Sequence, residues 1–241
     1  MKYSFYFLFL ALLLETSCKT AYLKDFQATE IKINDSLSGQ NQAVADFIKI
    51  YRDSIDKEMN IVIATNDHTA SKAQPDSELG NLLADAMLEM SKKYTKEQID
   101  LSVINYGGIR LPQLPSGDIK IGTVYELMPF DNIIVILTID GKNLKALFDK
   151  MTEIGGWPIS GATYNIKNGK AENIQLNGLP LDENKSYKLS ISDYLANGGD
   201  KLDMLKSLPQ FNTGILLRDA FIDYFKEQKK IFTKKDGRVT K

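Results

Sequence analysis

A single cysteine, Cys18, and a single histidine, His68, set the tightest limit on this 241-residue chain. One thiol cannot form a disulfide within the chain, so packing alone must hold the core. A structural zinc site, which draws four ligands mainly from Cys and His, is excluded. Dinuclear metallohydrolase sites recruit several His and Asp side chains, and here there is one histidine to offer. The expectation is therefore no metal held by this chain and no catalytic residue of its own. His68 falls in a polar stretch with no carboxylate partner indicated by spacing, and it reads as a solvated loop residue.

The remaining composition is that of an ordinary globular protein, 43% hydrophobic and 25% charged. With 30 basic and 31 acidic residues, the chain lacks the concentrated positive field that a nucleic acid polymer would need. Lys229-Lys230 and Lys234-Lys235 read as a solvated helix face and tail.

The N-terminus reads as an address. Met1-Lys2 is followed by an apolar run from Tyr3 to Leu14. That run is too short to span a bilayer, which takes about 20 apolar residues, but it suits a signal peptide. Cys18 sits where the run ends, after Ser17, and resembles a bacterial lipoprotein cleavage and lipidation site; Glu15 departs from that pattern. An ordinary signal peptide cut nearby is the alternative. The expected organisation is a leader over 1–18, a tether over 19–40 and one domain over 41–241. The chain would be exported to a bacterial cell envelope, as an outer-membrane lipoprotein facing the periplasm or the surface, with its lipid anchor the only membrane contact.

Apolar spacing predicts an early strand around Ala28–Ile33 and a helix over Ala43–Ile55, then a strand over Asn60–Thr65 and a loop from His68 to Asp76. A strongly amphipathic helix follows over Ser77–Lys92, started by Ser77 and Glu78. Asp100–Ile104 and the β-branched Asn132–Ile139 read as buried strands, and Asp140-Gly141 opens a helix through Leu144, Leu147, Phe148 and Met151. Strands near Ala162–Ile166, Asn173–Leu176 and Tyr187–Ser192 alternate with Asn-Gly turns at Asn168-Gly169 and Asn177-Gly178. A last helix is predicted over Gly214–Glu227. Helices and strands mix without a βαβ repeat, which points to an α+β domain with a mixed sheet and packed helices.

Four short stretches could carry binding chemistry. Asn105-Tyr106-Gly107-Gly108-Ile109-Arg110 would expose backbone N–H groups beside an arginine fork. Pro129-Phe130-Asp131-Asn132 offers a ring for stacking and an amide. Ser160-Gly161 allows close approach to the backbone. Asp193-Tyr194-Leu195-Ala196-Asn197-Gly198-Gly199-Asp200 brings together a flat ring, two glycines and a carboxylate able to accept from a vicinal diol. Taken singly, each is also explained by an ordinary turn or by core packing.

Taken in order, these motifs, with Glu78-Leu79-Gly80-Asn81-Leu82-Leu83-Ala84-Asp85-Ala86-Met87, resemble the C-terminal domain of the 5′-nucleotidase family over roughly Ile61–Leu205. That domain binds the nucleoside part of the substrate, while a separate metallophosphatase domain holds two metal ions and attacks the phosphate. The resemblance implies that a base is sandwiched between Phe130 and Tyr194, the latter in place of the more usual Phe. Asn132 would meet the base edge and Gly161 would line its pocket. Asp200 would hold the ribose hydroxyls, and Arg110 would face the phosphate or sugar. Asn105, Gly107, Gly108, Asn197 and Gly199 complete the implied site. The Arg residues that often precede the Leu-Gly helix are absent from Thr69–Asp76, where Lys72 could stand in only as a point charge.

The segment between Cys18 and Ile61 is too short for a metallophosphatase domain. The resemblance thus predicts a split 5′-nucleotidase: this chain presents a nucleoside or nucleotide, and the two divalent metals sit on a separate metallophosphatase chain. A catalytically silent nucleoside receptor and a structural envelope lipoprotein are the alternatives.

Overall fold

The computed structural model describes residue 30 and residues 41–241. The predicted leader and Cys18 lie outside the described residues, as do the tether and the early strand around 28–33 apart from Glu30, which is exposed and in no helix or strand. The chain divides into two units at Phe47/Ile48. Of the first, residue 30 and residues 41–47 are described, and the latter open helix α1 (Gln42–Met59), in which no side chain is buried.

The second unit begins with the rest of that helix and continues through β1 (Val62–Asn66), β2 (Ala70–Ser71), α2 (Glu78–Thr95), β3 (Leu101–Val103), β4 (Gln113–Leu114), β5 (Gly117–Lys120) and α3 (Ile121–Leu127). Next come β6 (Ile133–Asp140), α4 (Gly141–Glu153), β7 (Ile159–Ser160), β8 (Ala162–Lys167), β9 (Lys170–Leu176), β10 (Leu179–Pro180) and β11 (Ser186–Ser192). A single turn, α5 (Asp193–Ala196), leads to β12 (Gln210–Leu216), α6 (Leu217–Gln228), β13 (Lys230–Ile231) and β14 (Val239–Thr240). The architecture is α+β. Its main sheet runs β12-β6-β11-β3-β7, flanked by smaller sheets β10-β9-β8-β14, β13-β1-β5 and β2-β4.

The β-branched run of β6 explains where the core sits. Ile134 and Ile136 point into one hydrophobic cluster with α2, α3 and α6, while Val135, Leu137 and Ile139 point into another with α4, β8 and β9. Side chains alternate along a strand, so a strand covered on both faces must be apolar at every step. Helix α2 closes over the first face. Ser77 caps it by accepting from the Gly80 N–H at 3.1 Å. Its inner side makes two buried hydrogen bonds to the sheet, Ser102 Oγ to Ala84 O at 2.7 Å and Ser91 Oγ with Ser190 Oγ at 2.6 Å.

The expected Asn-Gly turns are present, with Asn168, Gly169, Asn177 and Gly178 all at positive φ. Three predictions need correction. The last helix does not start at Gly214: Gln210–Leu216 is an edge strand, Gly214, at φ 73°, lies where its register against β6 shifts, and the helix begins at Leu217. Helix α3 was not anticipated. The expected loop over His68–Asp76 contains β2, paired with β4. No described helix is long and apolar enough to cross a membrane.

Candidate functional site

Strand register gathers three of the motifs at one end of the main sheet. β6 and β11 run antiparallel with Ser192 opposite Ile134, so the segment entering β6 lies beside the segment leaving β11. β3 runs parallel to β11, with Ser102 opposite Ser190, and delivers the Asn105–Arg110 loop to the same end. These loops enclose a cleft of about 360 Å³ lined by Asn105, Gly107, Gly108, Arg110, Phe130, Asn132, Tyr194 and Asp200. That volume lies within the range of small-molecule sites. Phe130 and Tyr194 are 42% and 46% exposed, so neither ring is spent on the core.

The loops are tied to one another. Asp193 Oδ1 accepts from the Ile133 N–H at 3.0 Å and from the Tyr194 N–H at 2.8 Å, fastening the two ring-bearing segments together. Asp200 stands between two motifs, its Oδ2 accepting from Asn105 Nδ2 at 2.8 Å and its Oδ1 from the Tyr194 hydroxyl at 2.8 Å. That bond to Asp200 pushes the Tyr194 phenol above its ordinary pKa. Gly199 has to lack a side chain, because a Cβ there would stand 2.5 Å from the Tyr194 ring. Arg110 is exposed, with its guanidinium 5.6 Å from the Phe130 ring centroid. At that distance a cation is drawn to the ring face.

Several residues fall differently from expectation. Gly161 does not line this cleft. It follows β7, which runs antiparallel to β3 and so carries it to the opposite end of that strand. There a Cβ would meet Asp100 O at 2.2 Å, and φ is +80°, so its glycine serves close backbone packing. Gly161 lines a second hollow, with Asp85, Thr163, Gln175 and Arg238. Asn197 instead folds the loop, donating from Nδ2 to Asp193 O at 2.9 Å. Lys72 is already engaged: its ammonium donates to Ile109 O at 2.7 Å and lies 3.9 Å from the Tyr106 ring centroid. Burial, then the neighbouring Arg110 charge, lowers the Lys72 pKa. His68 meets solvent, as expected, but its ring also has partners. Its Nε2 is 3.1 Å from Thr233 Oγ1 and 3.5 Å from Glu78 Oε1, a carboxylate ten residues away that spacing did not suggest.

Two positioning residues have no role in the sequence reading: Asp193, which opens the fourth motif, and Arg218. The latter is buried at the start of α6. From there Nη1 donates to Pro129 O (3.3 Å) and Phe130 O (3.5 Å), and Nη2 to Asp131 Oδ1 (2.6 Å). Its guanidinium stacks 4.2 Å from the Tyr125 ring centroid. A cation in the first turn works against the helix dipole, but with the helix expected from Gly214 the sequence carries no such signal for Arg218. Among the described residues, no group of three or more His, Cys, Asp and Glu side chains is placed to hold a metal ion.

The similarity to known proteins falls on the same region. The family described as "5'-nucleotidase, C-terminal domain" matches residues 57–207, more than half of the chain. The 5'-nucleotidase of Diplobatis ommata is 26% identical over 204 residues, covering 74% of this chain and 35% of that protein. Protein UshA of Escherichia coli (strain K12) is 28% identical over 134 residues, 53% of this chain and 24% of its own length. This chain thus corresponds to only part of those relatives. Among solved structures, a 5'-nucleotidase precursor from Thermus thermophilus superposes with a TM-score of 0.73 at 26% identity, covering 83% of this chain and 43% of that one. With its motif loops gathered at one sheet end and the match spanning all of them, this chain belongs to the 5′-nucleotidase C-terminal domain family.

Proposed function

We propose that this chain binds a nucleoside or nucleotide between Phe130 and Tyr194 and presents it to a metallophosphatase carried on a separate chain, the pair acting as a 5′-nucleotidase in nucleotide catabolism. The observation that carries this reading is the pair of exposed aromatic rings on one cleft, with a pinned carboxylate, Asp200, beside them. Stacking contributes about 1–3 kcal/mol per base and ring. Asp200 suits a vicinal diol, and the exposed Arg110 guanidinium at the cleft can fork a phosphate. Lys72, held on the Asn105–Arg110 loop, is a brace in this reading and not a phosphate ligand.

Phosphomonoester hydrolysis has one of the largest uncatalysed barriers known, and a two-metal clamp is the usual answer. In the proposed pair, the two divalent ions sit on the partner, while the residues of this chain bind and orient. Lipidation at Cys18 would tether it to the bacterial envelope.

Calorimetric titration with adenosine and AMP tests the pocket. Phe130→Ala and Tyr194→Ala should each weaken binding about tenfold or more, near 1.4 kcal/mol. Unchanged affinity in both variants would remove the stacking site. Co-purification of a metallophosphatase supports the split arrangement, and metal-dependent AMP hydrolysis by this chain alone overturns it. Binding without any such partner would leave a nucleoside receptor.

A further inference from the structure

We propose that the Tyr194 hydroxyl is a latch that presets Asp200 for a vicinal diol, making it the residue that sets preference for ribose over deoxyribose. The inference rests on the nucleoside reading above and concerns the one atom by which Tyr194 exceeds a phenylalanine. That atom makes two hydrogen bonds to a single residue. It donates to Asp200 Oδ1 at 2.8 Å and accepts from the Asp200 backbone N–H at 3.2 Å.

Asp200 sits where such bonds add to a local backbone preference, since Asp is among the non-Gly residues that enter the left-handed region. Its backbone sits in the left-handed region at φ 52°, ψ 33°, a conformation that side chains other than Gly seldom adopt. Gly198 before it and Lys201 after it also have positive φ, at 88° and 65°. The stretch is a single 3-10 turn (Gly199–Lys201), closed by the Leu202 N–H donating to Gly199 O at 3.1 Å, and the side-chain bonds to Asp200 add to it. The hydroxyl holds both the backbone and the carboxylate, while Asn105, from a different loop, holds the second carboxylate oxygen at 2.8 Å. With both oxygens held, the carboxylate plane is restrained before a ligand arrives.

An ionised carboxylate offers about four lone-pair sites. Two are used by Tyr194 and Asn105, so each oxygen keeps capacity for one further donor. Two adjacent hydroxyls on a sugar present a matching pair of donors, whereas a deoxy sugar fills only one. A site whose acceptor is fixed before binding discriminates most sharply against a ligand that lacks the donor, because that acceptor is then left unpaired in the complex. If the carboxylate were free to rotate, it could turn to water and lose little.

The experiment titrates adenosine, 2′-deoxyadenosine and 3′-deoxyadenosine into the full chain and into Tyr194→Phe, Tyr194→Ala and Asp200→Asn, with thermal melts as a check on folding. The unaltered protein should prefer adenosine to either deoxy analogue by about tenfold or more. Tyr194→Phe keeps the stacking face. It should hold the deoxy analogues within about twofold of the unaltered protein while the ribose preference shrinks to about threefold or less. Asp200→Asn should lose the preference as well. If Tyr194→Phe keeps the full preference, or weakens all three ligands equally, the latch is wrong while the stacking site stands, provided Tyr194→Ala still weakens binding. If the unaltered protein binds no nucleoside, the proposed function fails and this inference fails with it.

Discussion

Tyr194 unites two properties that a sequence reading treats separately, a flat face and a titratable hydroxyl. Its phenol donates to Asp200, and only the protonated form can do so; a phenolate there would face a carboxylate. The Tyr194 pKa is accordingly raised above 10.0, first by this hydrogen bond. The bond is fully present below the ordinary value and is lost only as pH rises through the higher folded value. In a phenolate absorbance titration, the component that disappears in Tyr194→Phe should therefore titrate above 10.0, and Asp200→Asn should return it towards that value. A component at or below the ordinary value would mean that the bond is absent in solution. At this scale the rings and Asp200 were legible through the order of the motifs, since each string alone reads equally as a turn or as core packing. Asp193 was not, since an aspartate at a turn has many commoner uses, and its link to Ile133 spans sixty positions that only the β6–β11 register brings together.

Helix α6 shows how a shifted boundary hides a functional contact. With the helix expected from Gly214, Arg218 falls more than a turn inside and looks like a surface cation. With the helix starting at Leu217, it stands in the first turn, where the dipole disfavours it, and its side chain is only 8% exposed. What compensates is the Pro129–Asp131 segment, whose two carbonyls and one carboxylate it gathers. Phe130 is thus aimed by a helix distant in sequence. Replacing Arg218 with Met keeps most of the aliphatic packing and removes the fork. We expect adenosine affinity to fall about tenfold, about 1.4 kcal/mol, with a further loss of folding stability of about 1–2 kcal/mol from the missing hydrogen bonds. Calorimetry and thermal melts separate the two. An unchanged dissociation constant in a destabilised protein would make Arg218 a purely structural anchor. The boundary was misread because β12 is an edge strand, mostly exposed and interrupted by Gly214, so it lacks the alternation that made β6 plain.

Across the whole molecule, the last residues behave as a clasp where the sequence suggested a solvated tail. β13 pairs with β1, and β14 pairs with β8. Beside β14, Arg238 donates to Asp85 on α2 at 2.7 and 3.1 Å, to Asp236 at 2.6 and 2.8 Å, and to Ile159 O at 2.9 Å. A Lys- and Asp-rich end carries no periodicity, so only tertiary pairing reveals its role. Arg238 lines the hollow that contains Gly161 and is not among the residues lining the Phe130–Tyr194 cleft, so the clasp and the cleft should be separable. Arg238→Met should cost about 2 kcal/mol at neutral pH, less than a fully buried pair because both carboxylates meet solvent. That corresponds to a drop in Tm of about 4–8 °C, with adenosine affinity unchanged. The Arg238 hydrogen bond holds the Asp236 carboxyl below its ordinary value of 3.8. This contribution is therefore present above that value and lost as pH falls through the depressed one. The stability gap between the unaltered protein and Arg238→Met should narrow in acid, below about pH 4, and stay constant between neutral pH and that point. A gap that widened in acid would contradict the pairing, and a parallel loss of nucleoside affinity would make clasp and cleft one cooperative element.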